Sequence, residues 1–216
     1  MRKGVRGHAE RARIYKLCSL ALQYPDRELL AGRQDLSAAV AALRRSAAAD
    51  ALDRFFAWWS GTAAIELARH YVQTFDLHKR SALYLTFYSL GDRRDRGLGQ
   101  LRLKKLYRAA GLPLEGSELP DYLPVMLDYA AASADGTAVL REHRVPLELL
   151  RAALHENGSA YAAVVDALCD LLSPLTQEQR AQVQRIAAEG PPMETVGLEP
   201  FAPPDVMPAM PGELRR

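Results

Sequence analysis

Two pairs of carboxylates have the spacing that general acid–base chemistry could use. Asp92 and Asp95 form one pair and Glu118 and Asp121 the other. Each pair stands where a helix is expected to begin, and the helix dipole stabilises anions there without any catalytic role. The sequence contains no glycine-rich phosphate loop, zinc-protease motif or nucleophile elbow. It therefore predicts no catalytic residue and no enzymatic activity.

Histidines and cysteines are the other residues that could do chemistry. His70 and His78 flank Asp76, but a separation of eight residues is not a recurrent metal-ligand spacing. Cys18 and Cys169 lie far apart, and neither has a second cysteine nearby. This favours two small buried hydrophobic side chains over a ligand pair. We expect no metal and no cofactor, and the sparse cysteines favour a cytoplasmic protein.

The segment from Arg93 to Arg108 is the strongest charge feature of the chain. Its cations could contact nucleic acid, form a solvated helix face, or make a rim that orients a charged peptide or partner protein. The whole chain has 28 Lys+Arg against 26 Asp+Glu, a net charge of +2. Binding to nucleic acid needs clustered excess cations, so this balance is weak evidence for it.

Composition indicates which elements must position these residues. The chain has 216 residues, of which 49% are hydrophobic and 25% charged, as in ordinary soluble proteins. Alanine is common, and the strand-like run 81–88 has no second run to pair with, so we interpret it as a short helix. We predict an all-α, single compact domain of about ten helices over residues 8–189. Prolines interrupt every element in 190–216, which predicts a disordered tail.

Local signals predict several helix boundaries. Asp26 should cap a short helix, Thr62 should open another, and Thr176 with Gln179 has the spacing of a capping box. Pro146 should divide two helices.

The helix expected over residues 120–132 is apolar on two sides, with Tyr122, Val125 and Tyr129 on the second side. Such a helix is either packed between neighbours or lines a groove. A groove with aromatic walls and a few fixed charges suits recognition of a peptide helix.

Three segments carry a resemblance to a known family. They are YVQTFDLHKRSALYLTFYSLGDRRDRG at 71–97, LRLKKLYRAAGL at 101–112 and ELPDYLP at 118–124. In this order they resemble the NarJ-type nitrate reductase assembly chaperones, a branch of the redox-enzyme maturation proteins. The segments cover the middle quarter to third of the chain, and their order is more specific than any one of them.

The resemblance implies a cytoplasmic, all-helical chaperone that is not an enzyme. Such a protein binds the N-terminal segment of the nitrate reductase catalytic subunit and keeps it competent for molybdenum cofactor insertion before membrane docking. The expected partners are that subunit and, as further candidates, cofactor-delivery proteins, with no nucleic acid and no stable membrane association. Three alternatives stay open: a sibling chaperone for another molybdoenzyme, a helical nucleic-acid-binding regulator, and a helical enzyme, which would need a catalytic set that the scattered histidines do not supply.

The resemblance also implies which side chains contact the peptide. The candidates are Tyr71, Phe75, Asp76, Tyr84, Tyr88, Arg93, Arg96, Arg102, Asp121 and Tyr122. Aromatic residues at helical spacing are more often part of a core than of a groove. Asp121, near a helix start, has a structural alternative as a partner of free backbone N–H groups.

Overall fold

Twelve α-helices occur in the part of the chain that the computed structural model describes, residues 2–90, 94–114 and 116–189. The helices are α1 (Arg2–Ala21), α2 (Arg27–Ala31), α3 (Arg33–Ala41), α4 (Ala47–Gly61), α5 (Ala64–Tyr71), α6 (Leu85–Leu90), α7 (Arg94–Ala109), α8 (Leu123–Ala132), α9 (Gly136–Glu142), α10 (Arg144–Glu156), α11 (Ala162–Asp170) and α12 (Gln177–Glu189). A π-helical turn, Val72–Asp76, and a 3-10 turn, Lys79–Ser81, lie between α5 and α6. The predicted all-α class is confirmed, with twelve helices in these ranges in place of about ten.

The core forms where α1 packs against α8 and α11, α4 packs against α11 and α3, and α10 packs against α11, α12 and α6. Its largest fully buried side chains are aromatic: Trp59, Tyr15, Tyr107, Tyr161, Phe55 and Phe56. Cys18 is buried within this core and Cys169 is half-buried, and neither forms a disulfide. Burial raises the pKa of Cys169 to about 11, so this thiol stays protonated at neutral pH.

Two of the predicted helix starts are confirmed. The Asp26 carboxylate accepts a hydrogen bond from the Leu29 N–H at 2.8 Å. Thr176 and Gln179 form a reciprocal capping box at the start of α12, with distances of 3.0 and 3.2 Å.

Two other predicted boundaries are wrong. The Thr62 hydroxyl donates to the Trp58 carbonyl at 2.7 Å, so Thr62 completes the end of α4 and does not open α5. Pro146 lies in the first turn of α10, and the division falls instead at His143. A proline is accommodated in a first turn because its missing N–H would have no partner within the helix there.

The helix predicted over residues 120–132 begins later, at Leu123, because the chain crosses itself just before it. We call the contact between residues 83–85 and 121–123 the chain crossing. Helix α8 begins at Leu123, and the residues before it run antiparallel to the segment before α6. The Leu85 N–H donates to the Asp121 carbonyl at 3.0 Å, and the Leu123 N–H donates to the Leu83 carbonyl at 2.8 Å. The short helix predicted over 81–88 is confirmed in its second half, where α6 begins at Leu85, whereas the residues just before it are extended and form hydrogen bonds with the other segment.

The domain boundary at residue 189 and the disordered tail over 190–216 stay predictions, because residues 190–216 lie outside the described chain, as does Arg93. Among the described helices, none has the length and apolar character needed to cross a membrane.

Candidate functional site

Four tyrosines form a continuous row at the chain crossing. The rings of Tyr24 and Tyr71 meet edge to face at 5.4 Å, and the hydroxyls of Tyr71 and Tyr122 lie 3.1 Å apart. The rings of Tyr122 and Tyr84 are 5.3 Å apart. We call Tyr24, Tyr71, Tyr122 and Tyr84 the tyrosine row. Beyond its end, the Arg96 guanidinium lies 5.9 Å from the centre of the Tyr84 ring, within the range of a cation–π contact.

The chain crossing places one end of the row. Tyr84 and Tyr122 are directly opposite each other in an isolated antiparallel bridge, the arrangement in which cross-strand aromatic pairs stabilise extended segments. The other end comes from α5 and from the loop before α2. Tyr24 is 48% exposed and was missed in the sequence, where its position before Pro25 indicated only a helix end.

A π-helical turn follows Tyr71 directly. The Leu77 N–H donates to the Val72 carbonyl at 3.1 Å, five residues earlier. Isolated π-helical turns within helices occur frequently at functional sites. In this turn Phe75 points inward, with its ring 4.8 Å from that of Tyr71, and Asp76 is exposed.

Two exposed carboxylates, Asp76 and Glu118, flank the row. The Tyr84 hydroxyl donates to Glu118 at 3.2 Å, and burial together with this carboxylate raises the pKa of Tyr84 to about 12. Burial also raises the pKa of Tyr122, and Glu118 and Asp76 raise it further. Tyr84 and Tyr122 therefore keep their phenolic protons at neutral pH. The exposed Leu77 and Leu119 directly follow the two carboxylates in the chain.

Asp121 lies beneath the row, with a relative exposure of 0%. Its carboxylate accepts hydrogen bonds from the Thr86 hydroxyl at 2.5 Å and from the Gln100 amide at 2.9 Å. The Arg96 guanidinium lies 3.6 Å from the same carboxylate. The side chain does not cap α8, whose N-cap residue is Tyr122. Asp121 thus positions Arg96 and joins α6 and α7 to the crossing.

The remaining candidates occupy different places. Tyr88 is buried, and its hydroxyl lies 2.9 Å from the carbonyls of both Arg80 and Ala82, so it braces the segment before the crossing. Arg102 is on the exposed side of α7 and pairs with Glu142 at 3.1 Å. The structure thus brings five candidates together around the row: Tyr71, Asp76, Tyr84, Arg96 and Tyr122. Four of the candidates are buried: Tyr71 within the row, and Phe75, Tyr88 and Asp121 beneath it.

A concave surface separate from the tyrosine row lies between α1, α8 and the segment after α7. This groove of about 490 Å³ has walls that include Leu112, Val125 and Tyr129. The ion pair between Lys16 and Asp128, with an N–O distance of 2.9 Å, borders it. The residues predicted on the second apolar side of this helix therefore separate. Tyr122 belongs to the tyrosine row, whereas Val125 and Tyr129 line this α1–α8 groove.

Metal binding finds no support in the described part of the chain, where no group of three or more histidine, cysteine or acidic side chains could hold an ion. What the site offers instead is aromatic surface, phenolic donors and fixed charge.

Comparison with known proteins identifies the family. The family model described as nitrate reductase delta subunit matches residues 33–167, a range that contains three of the four tyrosines of the row and the Asp121 cluster. The chain belongs to this family. The resemblance to NarJ-type chaperones that the three segments indicated is therefore confirmed.

Two relatives are about one-third identical to this chain over the matched region. The probable nitrate reductase molybdenum cofactor assembly chaperone NarJ of Bacillus subtilis (strain 168) is 35% identical over 162 residues, 74% of this chain and 88% of that protein. The nitrate reductase molybdenum cofactor assembly chaperone NarJ of Escherichia coli (strain K12) is 31% identical over 177 residues, 80% of this chain and 75% of that protein.

A further relative has a different organisation. The nitrate reductase-like protein NarX of Mycobacterium tuberculosis (strain CDC 1551 / Oshkosh) is 35% identical over 158 residues. The match covers 72% of this chain and 24% of that protein. In that relative the delta-subunit-like region is therefore one part of a longer chain.

Proposed function

We propose that this protein is a chaperone that binds the N-terminal segment of a nitrate reductase catalytic subunit. It keeps that subunit competent for molybdenum cofactor insertion before the subunit docks at the membrane. Family membership supports the client, since relatives are named as assembly chaperones for nitrate reductase. The observation that carries the binding mode is the tyrosine row flanked by Asp76 and Glu118. The protein acts by binding, without turnover of its own, in the cytoplasm.

The chemistry of the row suits a short amphipathic helix. Tyrosine rings offer a large, rigid contact area at little conformational cost, and their hydroxyls donate or accept hydrogen bonds. The exposed Leu77 and Leu119 extend this surface with apolar contacts. Asp76 and Glu118 would pair with cations of the guest, which sets its register and speeds its association.

Binding an N-terminal segment explains how a small chaperone can act on a large client. A segment held on the tyrosine row is not free to pack against its final neighbours. The client therefore cannot dock at the membrane until the chaperone dissociates and releases the segment.

Calorimetry of the whole chain with a synthetic peptide matching the client's N-terminus tests the proposal. We expect binding with 1:1 stoichiometry. Tyr84→Ala should weaken it about 10-fold, as expected when a large aromatic contact is removed from an interface. Glu118→Gln should lower the affinity and its dependence on salt, because an exposed ion pair is screened.

The α1–α8 groove provides the matched control. Val125→Ala trims an apolar wall of that groove and should leave the peptide affinity unchanged. Absence of heat at peptide concentrations well above micromolar would overturn the proposal. Loss of binding in Val125→Ala but not in Tyr84→Ala would move the site to the groove. Binding only to a peptide from another molybdoenzyme would identify a sibling chaperone.

A further inference from the structure

Helix α7 has an outer side with an unusual combination of side chains. Its inner side is buried through Leu103 and Tyr107. On the opposite side, Leu98 and Leu101 are 67% and 47% exposed. The helical repeat of 3.6 residues brings Lys105 and Arg108 onto the same side. We call the exposed residues Leu98, Leu101, Arg102, Lys104, Lys105 and Arg108 the α7 face.

The charge of this face is locally unbalanced. Within the ranges that the structure covers, Lys104, Lys105 and Arg108 form no ion pair with a carboxylate. Arg102 pairs with Glu142, but both side chains are more than half exposed, so water screens the pair. Although the whole chain carries only +2, these cations gather beside two exposed leucines.

We propose that the α7 face binds reversibly to anionic phospholipid bilayers. The two leucines would enter the boundary between headgroups and acyl chains, and the cations would contact lipid phosphates from the same side of the helix. Lysine and arginine suit this position because their aliphatic stems can lie along apolar surface while the charge stays at the headgroups. Two leucines and four cations provide weak binding, which keeps the association transient.

Exposed leucines favour a bilayer over the alternative partners. A nucleic acid would use the cations through its phosphates but would leave Leu98 and Leu101 without an apolar partner. A protein helix would be expected in a groove, whereas these leucines project from the outer side of a single helix. A bilayer surface matches both the charge and the apolar side chains without requiring walls.

Sedimentation of the full chain with vesicles tests this inference. We expect pelleting with vesicles of equal parts phosphatidylcholine and phosphatidylglycerol, little with phosphatidylcholine alone, and a decrease as salt rises. Lys104→Ala combined with Lys105→Ala should lower the partition coefficient about 30-fold, from the usual contribution of each cation near an anionic surface. Leu98→Ala combined with Leu101→Ala should lower it as well.

A matched control removes the same charge elsewhere. Arg180→Ala combined with Arg185→Ala takes two exposed cations from α12 and should leave vesicle binding unchanged. Equal binding to both vesicle types, or an equal loss in the α12 control, would overturn the proposal. Retention on an immobilised DNA duplex or an acidic protein, without pelleting, would overturn it in favour of that partner. Calorimetry of the lysine variant with the client peptide should be unchanged, which separates this result from the peptide site.

Discussion

The side-chain amide of Gln100 donates a 2.9 Å hydrogen bond to the buried carboxylate of Asp121 and thereby ties α7 to the segment before α8. Thr86 donates to the same carboxylate from α6, and Arg96 lies 3.6 Å from it. One side chain thus holds together three segments that surround the tyrosine row. The geometry of the row depends on a group that has no exposed surface of its own.

Removing this carboxylate should destabilise the whole domain. Asp121→Ala should lower the free energy of unfolding by about 2–4 kcal/mol, because Thr86 and Gln100 lose their buried acceptor and the ion pair with Arg96 is removed. Urea denaturation followed by circular dichroism measures the change. Asp128→Ala is the matched control, since its pair with Lys16 is exposed and should contribute less than about 1 kcal/mol. Similar losses in the two variants would contradict the anchoring role of Asp121.

Two buried tyrosines should respond differently to loss of their hydroxyls. The Tyr107 hydroxyl donates to the Pro120 carbonyl at 2.7 Å, so Tyr107→Phe should cost about 1–2 kcal/mol. The Tyr161 hydroxyl is buried and has no hydrogen-bond partner among the described protein atoms. Tyr161→Phe should therefore be neutral or stabilising in urea denaturation. A cost equal to that of Tyr107→Phe would indicate that a buried water molecule satisfies the Tyr161 hydroxyl.

Histidine burial predicts how stability depends on pH. Desolvation lowers the pKa of His70, whose ring stacks on Tyr161 and whose Nε2 lies 3.0 Å from the Ser159 hydroxyl. The unfolded chain therefore binds a proton more tightly than the folded chain at this position. The contribution to stability is complete above the ordinary histidine pKa of about 6.5 and is lost as the pH falls below it.

Comparing urea denaturation at neutral pH with denaturation at about pH 5 measures this loss. His70→Gln keeps a group that can hydrogen-bond Ser159 but cannot titrate, so its stability should change less over the same range. Burial also lowers the pKa of His143, so this residue accounts for part of the pH dependence of stability that remains in His70→Gln. If His70→Gln lost as much stability over this pH range as the unaltered protein, His70 would not contribute to the pH dependence.

Structural features that depend on a few neighbouring residues could be predicted from the sequence. The capping box of Thr176 and Gln179 and the cap by Asp26 involve atoms within one turn, so residue type and spacing are enough to specify them. Thr62 and Pro146 were misplaced because the same residue types serve more than one position. A threonine can cap a helix start or bond to the carbonyl one turn earlier, and a proline can break a helix or begin one.

The family could also be predicted from the sequence, because the resemblance rests on three contiguous segments in a fixed order along the chain. The site was not. Tyr24, Tyr71 and Tyr122 are dozens of residues apart, and no local rule brings their rings and hydroxyls together. Nor could spacing show that Asp121 turns inward while Glu118, three residues earlier, remains exposed. That choice depends on Thr86 and Gln100, and these partners reach the carboxylate only after α6 and α7 have packed around the crossing.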